Sequence, residues 1–459
     1  MRIRYNTIGP DGLWGMLKEL KIDTEQIVSR ECLKNIVERL DKNAVEVLCG
    51  PRQSGKTTLL YLLMIEITKK NLSPEYIHYL NLDTLPGYAI FENPVRFCQA
   101  IRESHQNNKE QKVYLLLDEI QRLKNPGLFL KAIYDSCPEI KLIVSGSSSL
   151  EIRAKTKEFL TGRKYETLLL PLSYREIVRY SKKLPPDFFE EKVTADNIEL
   201  WKERQQIYGQ FLVEQMMEMT IHGGYPGVFM AENKKNKEEI LYELYNSYVK
   251  KDITDFLKVE NLSLFNNLAR TFAAQIAGLI NLSQICSLLG GNRITISKYL
   301  NILEETYVIK TLTPFVRNKR NEVKYARKCF FYDCGLRNLP LNQFGEVLER
   351  SDFGSLLENM VAGESIKSLG PFNNLYYWRT KAGAEVDFVI ESAQGIIPVE
   401  VKFLSAKIGT LSRSFHSFLE TYHPPKAFFL NRDQVGCLKK ESTAIFYLPI
   451  HWFLLGCAI

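Results

Sequence analysis

Short apolar runs mark buried strands in the first third of the chain. The segments VEVLC, YIHYLNLD, VYLLLD and IKLIVSG are short and rich in apolar residues, and VYLLLD is fully apolar up to its final Asp. Strands of a parallel sheet are buried on both faces, so their sequences are apolar throughout and do not alternate. An apolar segment of helical length, LLYLLMIEI, follows the first of these runs. The pattern predicts an α/β fold with a parallel sheet.

Alternation replaces this pattern in the last third. The segment AEVDFVIESAQGIIPVEVKF, residues 384 to 403, predicts two strands joined by a Gly turn. Side chains two positions apart on a strand share a face. Glu385 and Asp387 are therefore expected on one face of the first strand, and Glu400 and Lys402 on one face of the second. Antiparallel pairing would bring Asp387 and Glu400 together.

The middle of the chain predicts two helices and a strand in INLSQICSLLGGNRITISKYLNILEETYVIKTLTPF. Ser283 is expected to cap the first helix, and Gly290 and Gly291 to end it. Three residues of the second helix are expected to face inward: Ile296, Leu300 and Leu303. This order is typical of a winged helix-turn-helix.

The predicted wing, RNKRNEVKYARK, is basic. Its cations are Arg317, Lys319, Arg320, Lys324, Arg327 and Lys328, against the single acid Glu322. Such a wing beside a polar helix favours contacts with the phosphate backbone of DNA over base recognition. Two alternatives are a solvated basic loop and a module that docks proteins.

Composition narrows the class of protein. The 459 residues are 45% hydrophobic and 25% charged, with a formal charge of +7, which is typical of a globular protein and compatible with a polyanionic partner. The nine cysteines are scattered without CxxC spacing, so we expect reduced thiols. MRIRYNTIGPDG lacks the apolar core of a signal peptide, and no long apolar run follows. A cytoplasmic protein without a membrane partner is expected.

The segment GPRQSGKTT fits the phosphate-binding pattern GxxxxGK[ST], between a strand and a helix as this mechanism requires. The glycines allow the backbone to wrap the phosphates, Lys56 neutralises them, and the Thr57 hydroxyl is a ligand for Mg²⁺. ATP and Mg²⁺ are the expected cofactors. The residues predicted to bind nucleotide here are Gly50, Pro51, Arg52, Gln53, Ser54, Gly55, Lys56, Thr57 and Thr58.

A second acidic element follows the strand VYLLLD. Asp118 is expected to complete the Mg²⁺ site with Thr57, and Glu119 to polarise the attacking water. The alternative is an acidic helix cap. Ser147, after the strand IKLIVSG, lies where a polar side chain could sense the γ-phosphate, although such serines also form turns.

Several spaced segments resemble bacterial and archaeal AAA-type ATPases that carry a C-terminal domain of unknown function. They are GPRQSGKTTLL, LLLDEIQRL, LIVSGSSSL, LTGRKYETLLLPLSYREI and HGGYPGV. The resemblance implies a P-loop sheet with an inserted acid strand beside it, followed by a helical lid. It also implies a catalytic role for Arg163, after Gly162, as an arginine finger acting in cis or from a neighbouring subunit. The alternative is an ordinary surface arginine.

The last third resembles the core of PD-(D/E)xK nucleases through Glu358 on a predicted helix and Asp387, Glu400 and Lys402 on the two strands. The resemblance implies that Asp387 and Glu400 hold a divalent metal, and that Lys402 places or activates water. The alternative is an exposed ion pair on a nuclease-like fold without cutting activity.

Together these features predict four segments: a P-loop AAA-type ATPase domain (1–180), a helical lid and linker (181–245), a winged helix-turn-helix (246–330) and a nuclease-like domain (331–459). The expected function is an ATPase that acts as a nucleotide-dependent switch or motor on DNA. One alternative is a slow ATPase whose C-terminal half docks protein partners in signalling or scaffolding. Another is an ATP-gated, metal-dependent DNA endonuclease. The oligomeric state stays open.

Overall fold

The computed structural model describes residues 27–70, 74–84, 89–104, 111–146, 162–248, 253, 259–316, 326–370, 372–405 and 407–458. The chain divides after Leu170 into two compact units. Across the described ranges, no helix is both long and apolar enough to cross a membrane.

The first unit is an α/β unit built on a parallel sheet. Its strands lie in the order β2-β3-β4-β1-β5, and all neighbouring pairs are parallel. The elements are α1 (Cys32–Glu38), β1 (Val45–Cys49), α2 (Lys56–Lys69), β2 (Ile77–Asn81), α3 (Pro94–Ser104), β3 (Val113–Asp118), α4 (Pro126–Ser136), β4 (Ile140–Gly146) and β5 (Lys164–Leu168). Short 3-10 helices cover Pro74–Tyr76, Ala89–Glu92 and Ile120–Arg122.

The buried strands are the ones that the apolar runs predict. β1, β3 and β4 are buried along their whole length, whereas β5 lies at an edge and is largely accessible. The acid strand β3 lies inside the sheet, between β2 and β4, so its expected place beside the sheet is wrong. Because all five strands are parallel, their carboxyl ends meet at one edge.

The cysteines of this unit correct a second expectation. Cys98 on α3 and Cys137 at the end of α4 form a disulfide, although the scattered spacing predicts reduced thiols. Both residues belong to the apolar cluster on one face of the sheet. Sequence spacing does not reveal this pair, because packing of α3 against α4 brings the two residues together.

The second unit begins with helices. They are α5 (Tyr174–Tyr180), α6 (Ile198–His222), the short α7 (Pro226–Phe229) and α8 (Lys234–Ser247). A 3-10 helix covers Pro186–Phe189. Ser173 and Glu176 form a capping box at the start of α5, where the Ser side chain accepts from the Glu N–H and the Glu side chain accepts from the Ser N–H.

The predicted helix-turn-helix segment contains α9 (Leu262–Ala274), α10 (Leu282–Leu289) and α11 (Arg293–Glu305), then the antiparallel pair β6 (Ile309–Leu312) and β7 (Lys328–Phe331). Gly290 ends α10 in the left-handed conformation, as predicted. The expectation that Ser283 caps α10 is wrong, because Asn281 accepts the capping hydrogen bond from the Gln284 N–H. The wing residues 317–325 lie outside the described residues.

The remaining chain builds a six-stranded sheet in the order β12-β13-β11-β10-β9-β8. α14 packs on it through Phe415, Phe418 and Leu419. Short 3-10 helices cover Leu339–Leu341 and Val347–Glu349. The elements are α12 (Cys334–Asn338), α13 (Phe353–Ser368), β8 (Asn374–Arg379), β9 (Glu385–Ser392), β10 (Gly395–Val401), α14 (Arg413–Tyr422), β11 (Lys426–Asn431), β12 (Gly436–Lys440), β13 (Thr443–Pro449) and α15 (Ile450–Leu454).

Candidate functional site

The loop between β1 and α2 depends on two glycines. Gly50 has φ +152°, and a Cβ there would collide with the backbone of Leu169. Gly55, the residue before α2, has φ +95°, which a side chain rarely adopts. Pro51 to Ser54 complete the loop, and Thr58 lies in the first turn of α2. The backbone therefore curls around the helix N-terminus as the motif requires.

Lys56 points back into this loop. Its Nζ donates to the carbonyl oxygens of Gly50 at 3.0 Å and Pro51 at 2.6 Å. Burial lowers the Lys56 pKa to about 8, although the nearby carboxylates of Glu119 and Asp118 favour the charged form. The ammonium is thus held inside the curl of the loop.

Asp118 is the centre of a hydrogen-bond network at the carboxyl ends of the strands. Its Oδ2 accepts from the Thr57 hydroxyl at 2.6 Å and from the Tyr79 hydroxyl at 3.1 Å. Its Oδ1 accepts from the Ser145 hydroxyl and from the Glu119 N–H. The side chain is buried, so these bonds compensate for the loss of water around its charge. The structure brings together Thr57 and Asp118, which the sequence predicts to be partners.

Glu119 follows at the end of β3 in the left-handed conformation, with φ +57°. One oxygen of its carboxylate accepts a hydrogen bond from the Gln121 side-chain amide. A non-glycine residue with positive φ is uncommon and is often found at functional sites. The side chains of these two adjacent acids therefore have different surroundings. Asp118 accepts hydrogen bonds from Thr57, Tyr79 and Ser145, whereas Glu119 accepts one from Gln121.

Several residues around this site were not predicted from the sequence. Tyr79 and Ser145 lie near the carboxyl ends of β2 and β4, the strands on either side of β3, and strand order would have pointed to them. Arg30 carries no such signal, because it precedes α1 yet donates to the carbonyl oxygens of Ser54 and Leu170 at 2.8 and 2.6 Å.

Two further residues, Arg163 and Ser147, are predicted from the sequence to contact the nucleotide. Arg163 lies just before β5, at the amino ends of the strands, where its carbonyl accepts from the Val45 N–H. Its side chain pairs with Asp135 at 3.2 Å and lies over the Tyr134 ring. The prediction that Arg163 contacts a phosphate bound to its own subunit is therefore wrong. The phosphate-binding loop lies at the opposite ends of the strands, their carboxyl ends. Ser147 lies outside the described residues.

The carboxylates of the second unit do come together. The antiparallel register pairs Phe388 with Val399, which places Asp387 opposite Glu400. Lys402 Nζ lies 3.5 Å from an Asp387 oxygen and 3.4 Å from a Glu400 oxygen. Asp387 also accepts from the Val401 N–H at 2.8 Å.

The electrostatics of this cluster follow from its burial. Burial and the charge of Asp387 raise the pKa of Glu358 to about 8 and that of Glu400 to about 7. Burial opposes the charge of Lys402, but the two strand carboxylates prevail and raise its pKa. Glu400 Oε2 is buried without a hydrogen-bond partner among the described residues. This oxygen can therefore accept a hydrogen bond that its described protein neighbours do not donate.

A metal site is not assembled here. Within the described ranges, no three His, Cys, Asp or Glu side chains are arranged to hold an ion. Lys402 instead supplies the positive charge between the two strand carboxylates. The residues as they stand do not form a complete metal site.

Three family models match successive parts of the chain. Residues 42–178 match the AAA domain. The resemblance to AAA-type ATPases is thus confirmed for this part, which contains the loop, Asp118 and Glu119. Residues 213–346 and 353–453 match two domains of unknown function, DUF8612 and DUF4143. Neither description identifies a winged helix or a nuclease, so both assignments stay predictions.

Relatives extend over most of the chain. An uncharacterized protein of Haemophilus influenzae is 26% identical over 392 residues, covering 83% of this chain and 88% of its own. An uncharacterized protein of Methanocaldococcus jannaschii is 25% identical over 426 residues, covering 90% and 85%. The Aeropyrum pernix ORC2 protein, solved in ADPNP–ADP complexes, overlays 61% of this chain and 86% of its own at 14% identity. Its TM-score of 0.32 establishes no shared fold.

Proposed function

We propose that this protein binds and hydrolyses ATP and acts as a nucleotide-dependent switch on DNA. The observation that carries the nucleotide part is the pairing of Thr57 with Asp118 at 2.6 Å, directly beside the curled loop. The match of residues 42–178 to the AAA domain supports it independently. ATP and ADP are the expected ligands.

The donor set of this pair suits Mg²⁺. A hydroxyl and a carboxylate are oxygen ligands, which Mg²⁺ prefers, and the ion is commonly held by one or two protein side chains together with phosphates. Thr57 and Asp118 would hold it. When bound, Mg²⁺ offsets the negative charge of the phosphates.

The protein's own residues account for the remaining roles. Lys56, already inside the loop, would exchange its two carbonyl acceptors for phosphate oxygens, which are stronger acceptors. Glu119 is the proposed base that orients the attacking water, and Gln121 keeps its carboxylate in place. Arg163 remains a candidate only from a neighbouring subunit.

Steady-state ATP hydrolysis with Mg²⁺ tests this assignment. Lys56→Ala and Glu119→Gln should each lower turnover at least 100-fold, because Lys56 is the proposed contact of the reacting phosphate and Glu119 the proposed base for the attacking water. Glu119→Gln should still bind ATP by calorimetry, whereas Lys56→Ala should bind it weakly. Lys124→Ala, which removes an exposed lysine of the same unit, is the matched control. Undiminished turnover in both site variants would refute the proposal.

The proposed binding of DNA is based on the second unit of the chain. Three helices, α9 to α11, are followed by an antiparallel strand pair in the order that a winged helix-turn-helix has. In this proposal residues 1–180 form the ATPase domain, 181–245 the lid and linker, 246–330 the winged helix and 331–459 the nuclease-like domain. DNA affinity that falls linearly with salt on logarithmic axes would support it. No binding at low salt would favour a module that docks proteins.

Metal-dependent DNA cleavage is a second candidate function, in which a phosphate of bound DNA would complete the ligand set that Asp387 and Glu400 alone leave incomplete. The unpaired, buried Glu400 Oε2 beside Asp387 favours it, because such an atom is unusual in a purely structural cluster. Nicking of supercoiled plasmid with Mg²⁺ or Mn²⁺ should then disappear in Asp387→Ala. Glu391→Ala on the same strand, a partly exposed acid outside the cluster, is the control. Equal nicking by all three proteins, or none by the wild type, would exclude this function.

A further inference from the structure

The helix-turn-helix segment has an unusual charge distribution. From Asn261 to Leu303 the sequence contains no Asp or Glu, although the whole chain has 53 acidic residues. It does contain three cations, Arg270, Arg293 and Lys298, all at exposed positions. A polyanion approaching these helices meets three exposed cations and no acid from the same segment. This charge distribution favours a polyanionic ligand such as nucleic acid.

α11 has two distinct faces. The buried residues are Ile296, Tyr299, Leu300, Ile302 and Leu303. The outer face carries Ile294, Lys298 and Asn301, which are spaced so that they lie in one row along the helix. Arg293 precedes this row as the first residue of the helix.

Ile294 is the exception on this outer face. Its side chain is 83% exposed, although it is a large apolar residue among polar neighbours. The folded chain thus leaves unused most of the stabilisation that burial of an isoleucine provides. The Asn292 side chain caps α11, so Ile294 occupies the first turn of the helix. First-turn residues of the second helix are those that contact base edges in helix-turn-helix complexes.

We infer that the outer face of α11 enters the major groove of double-stranded DNA and recognises bases there. Ile294 packs against the methyl group of a thymine, and Arg293 donates two hydrogen bonds to a guanine. Lys298 and Arg270 contact phosphates. This inference rests on the proposed DNA binding and deepens it, because the sequence alone favours backbone contacts over base recognition.

Selection of bound sequences from a pool of random duplex DNA is the first step of the test, using the full chain. We expect an enriched motif that contains thymine. Each thymine of that motif is then replaced by deoxyuridine, which removes only the methyl group. At one position the replacement should weaken wild-type binding about fourfold, the effect of one buried methyl group.

The variant Ile294→Ala isolates the contact. It should bind the thymine duplex several-fold more weakly than the wild type, and the deoxyuridine replacement should no longer change its affinity. Ile207→Ala is the matched control, because Ile207 is also an isoleucine on a helix surface and is 70% exposed. It should behave as the wild type. Lys298→Ala should weaken binding to all sequences and reduce the salt slope by about one.

Several outcomes would overturn the inference. Binding without sequence preference, but with normal salt dependence, would refute base recognition and leave the proposed DNA function standing. An equal methyl effect in the wild type and Ile294→Ala would assign the contact to another residue. No duplex binding at low salt would refute the DNA function together with this inference, while ATP hydrolysis would be unaffected.

Discussion

Asp118 illustrates how single residues here depend on neighbours from distant segments. Its carboxylate accepts hydrogen bonds from side chains of α2, β2 and β4. A buried charge is stable only when it is paired or hydrogen-bonded. The donors therefore contribute to folding as well as to the geometry of the candidate site.

Removal of the Tyr79 hydroxyl should separate these two contributions. Tyr79→Phe deletes one bond to a buried charge, so we expect the free energy of unfolding to fall by about 1–3 kcal/mol. ATP affinity should change less than tenfold, because Thr57 and Asp118 remain. Urea unfolding followed by circular dichroism, together with calorimetric titration of ATP, checks both values.

Tyr61→Phe is the matched control, because the Tyr61 hydroxyl donates to Tyr79 at 3.4 Å and does not contact Asp118. It should cost no more than about 1 kcal/mol. A larger loss in Tyr61→Phe than in Tyr79→Phe would contradict the role assigned to the Asp118 bond.

His451 should make the second unit sensitive to acid. Burial lowers the pKa of His451 to about 3, and its Nε2 is bonded to the Gln205 side chain at 2.8 Å. In the unfolded chain His451 takes up a proton near pH 6.5, whereas in the folded chain it becomes protonated only near pH 3. Stability is therefore complete above pH 6.5 and falls as the pH falls towards 3. Between pH 7 and pH 5 the loss should be about 2 kcal/mol.

Tryptophan fluorescence during urea unfolding measures this loss. In His451→Gln the pH dependence should shrink by about 2 kcal/mol, because the titrating group is gone. His423→Asn removes a histidine whose side chain is 61% exposed, and it should keep the wild-type dependence. Identical pH profiles for His451→Gln and the wild type would show that another group is responsible.

At the scale of elements, the start of α10 gives a direct comparison. Asn281 caps this helix, and Ser283, the residue that the sequence pattern favours, makes no capping bond. Asn281→Ala should lower the free energy of unfolding by about 1 kcal/mol, whereas Ser283→Ala should change it by less than about 0.5 kcal/mol. Urea unfolding of both variants distinguishes them. A larger effect of Ser283→Ala would contradict the observed cap.

Elements were predictable where their residues carry their own signal. β1, β3 and β4 follow from short, mostly apolar runs, and α2 follows from the glycines that precede it. The cap of α10 was mispredicted because Asn and Ser are both good caps and lie two residues apart. Strand order was not predictable, since it depends on crossover connections and packing.

At the scale of the whole molecule, a switch requires that ATP and DNA affect each other's binding. If ATP changes DNA affinity by some factor, DNA must change ATP affinity by the same factor. We expect a factor of at least five in Glu119→Gln, which should retain ATP. Fluorescence anisotropy of labelled duplex DNA with and without ATP, and calorimetry of ATP with and without DNA, provide the two values.

Lys56→Ala is the control for this coupling, because it should bind DNA yet respond little to ATP. Equal DNA affinity with and without ATP in the Glu119→Gln variant would exclude a nucleotide-dependent switch. In that case the protein-docking alternative would become the better description of the second unit.

Local residue order was enough to locate the phosphate-binding loop, the acid at the end of β3 and the alternating carboxylates of β9 and β10, because each of these depends on spacing within one segment. Folding alone determined which distant side chains meet. In the folded chain, Tyr79 and Ser145 donate hydrogen bonds to Asp118, Arg163 lies at the amino ends of the strands, and Ile294 is exposed. These outcomes depend on strand order and on the packing of segments far apart in the chain, which no local pattern encodes.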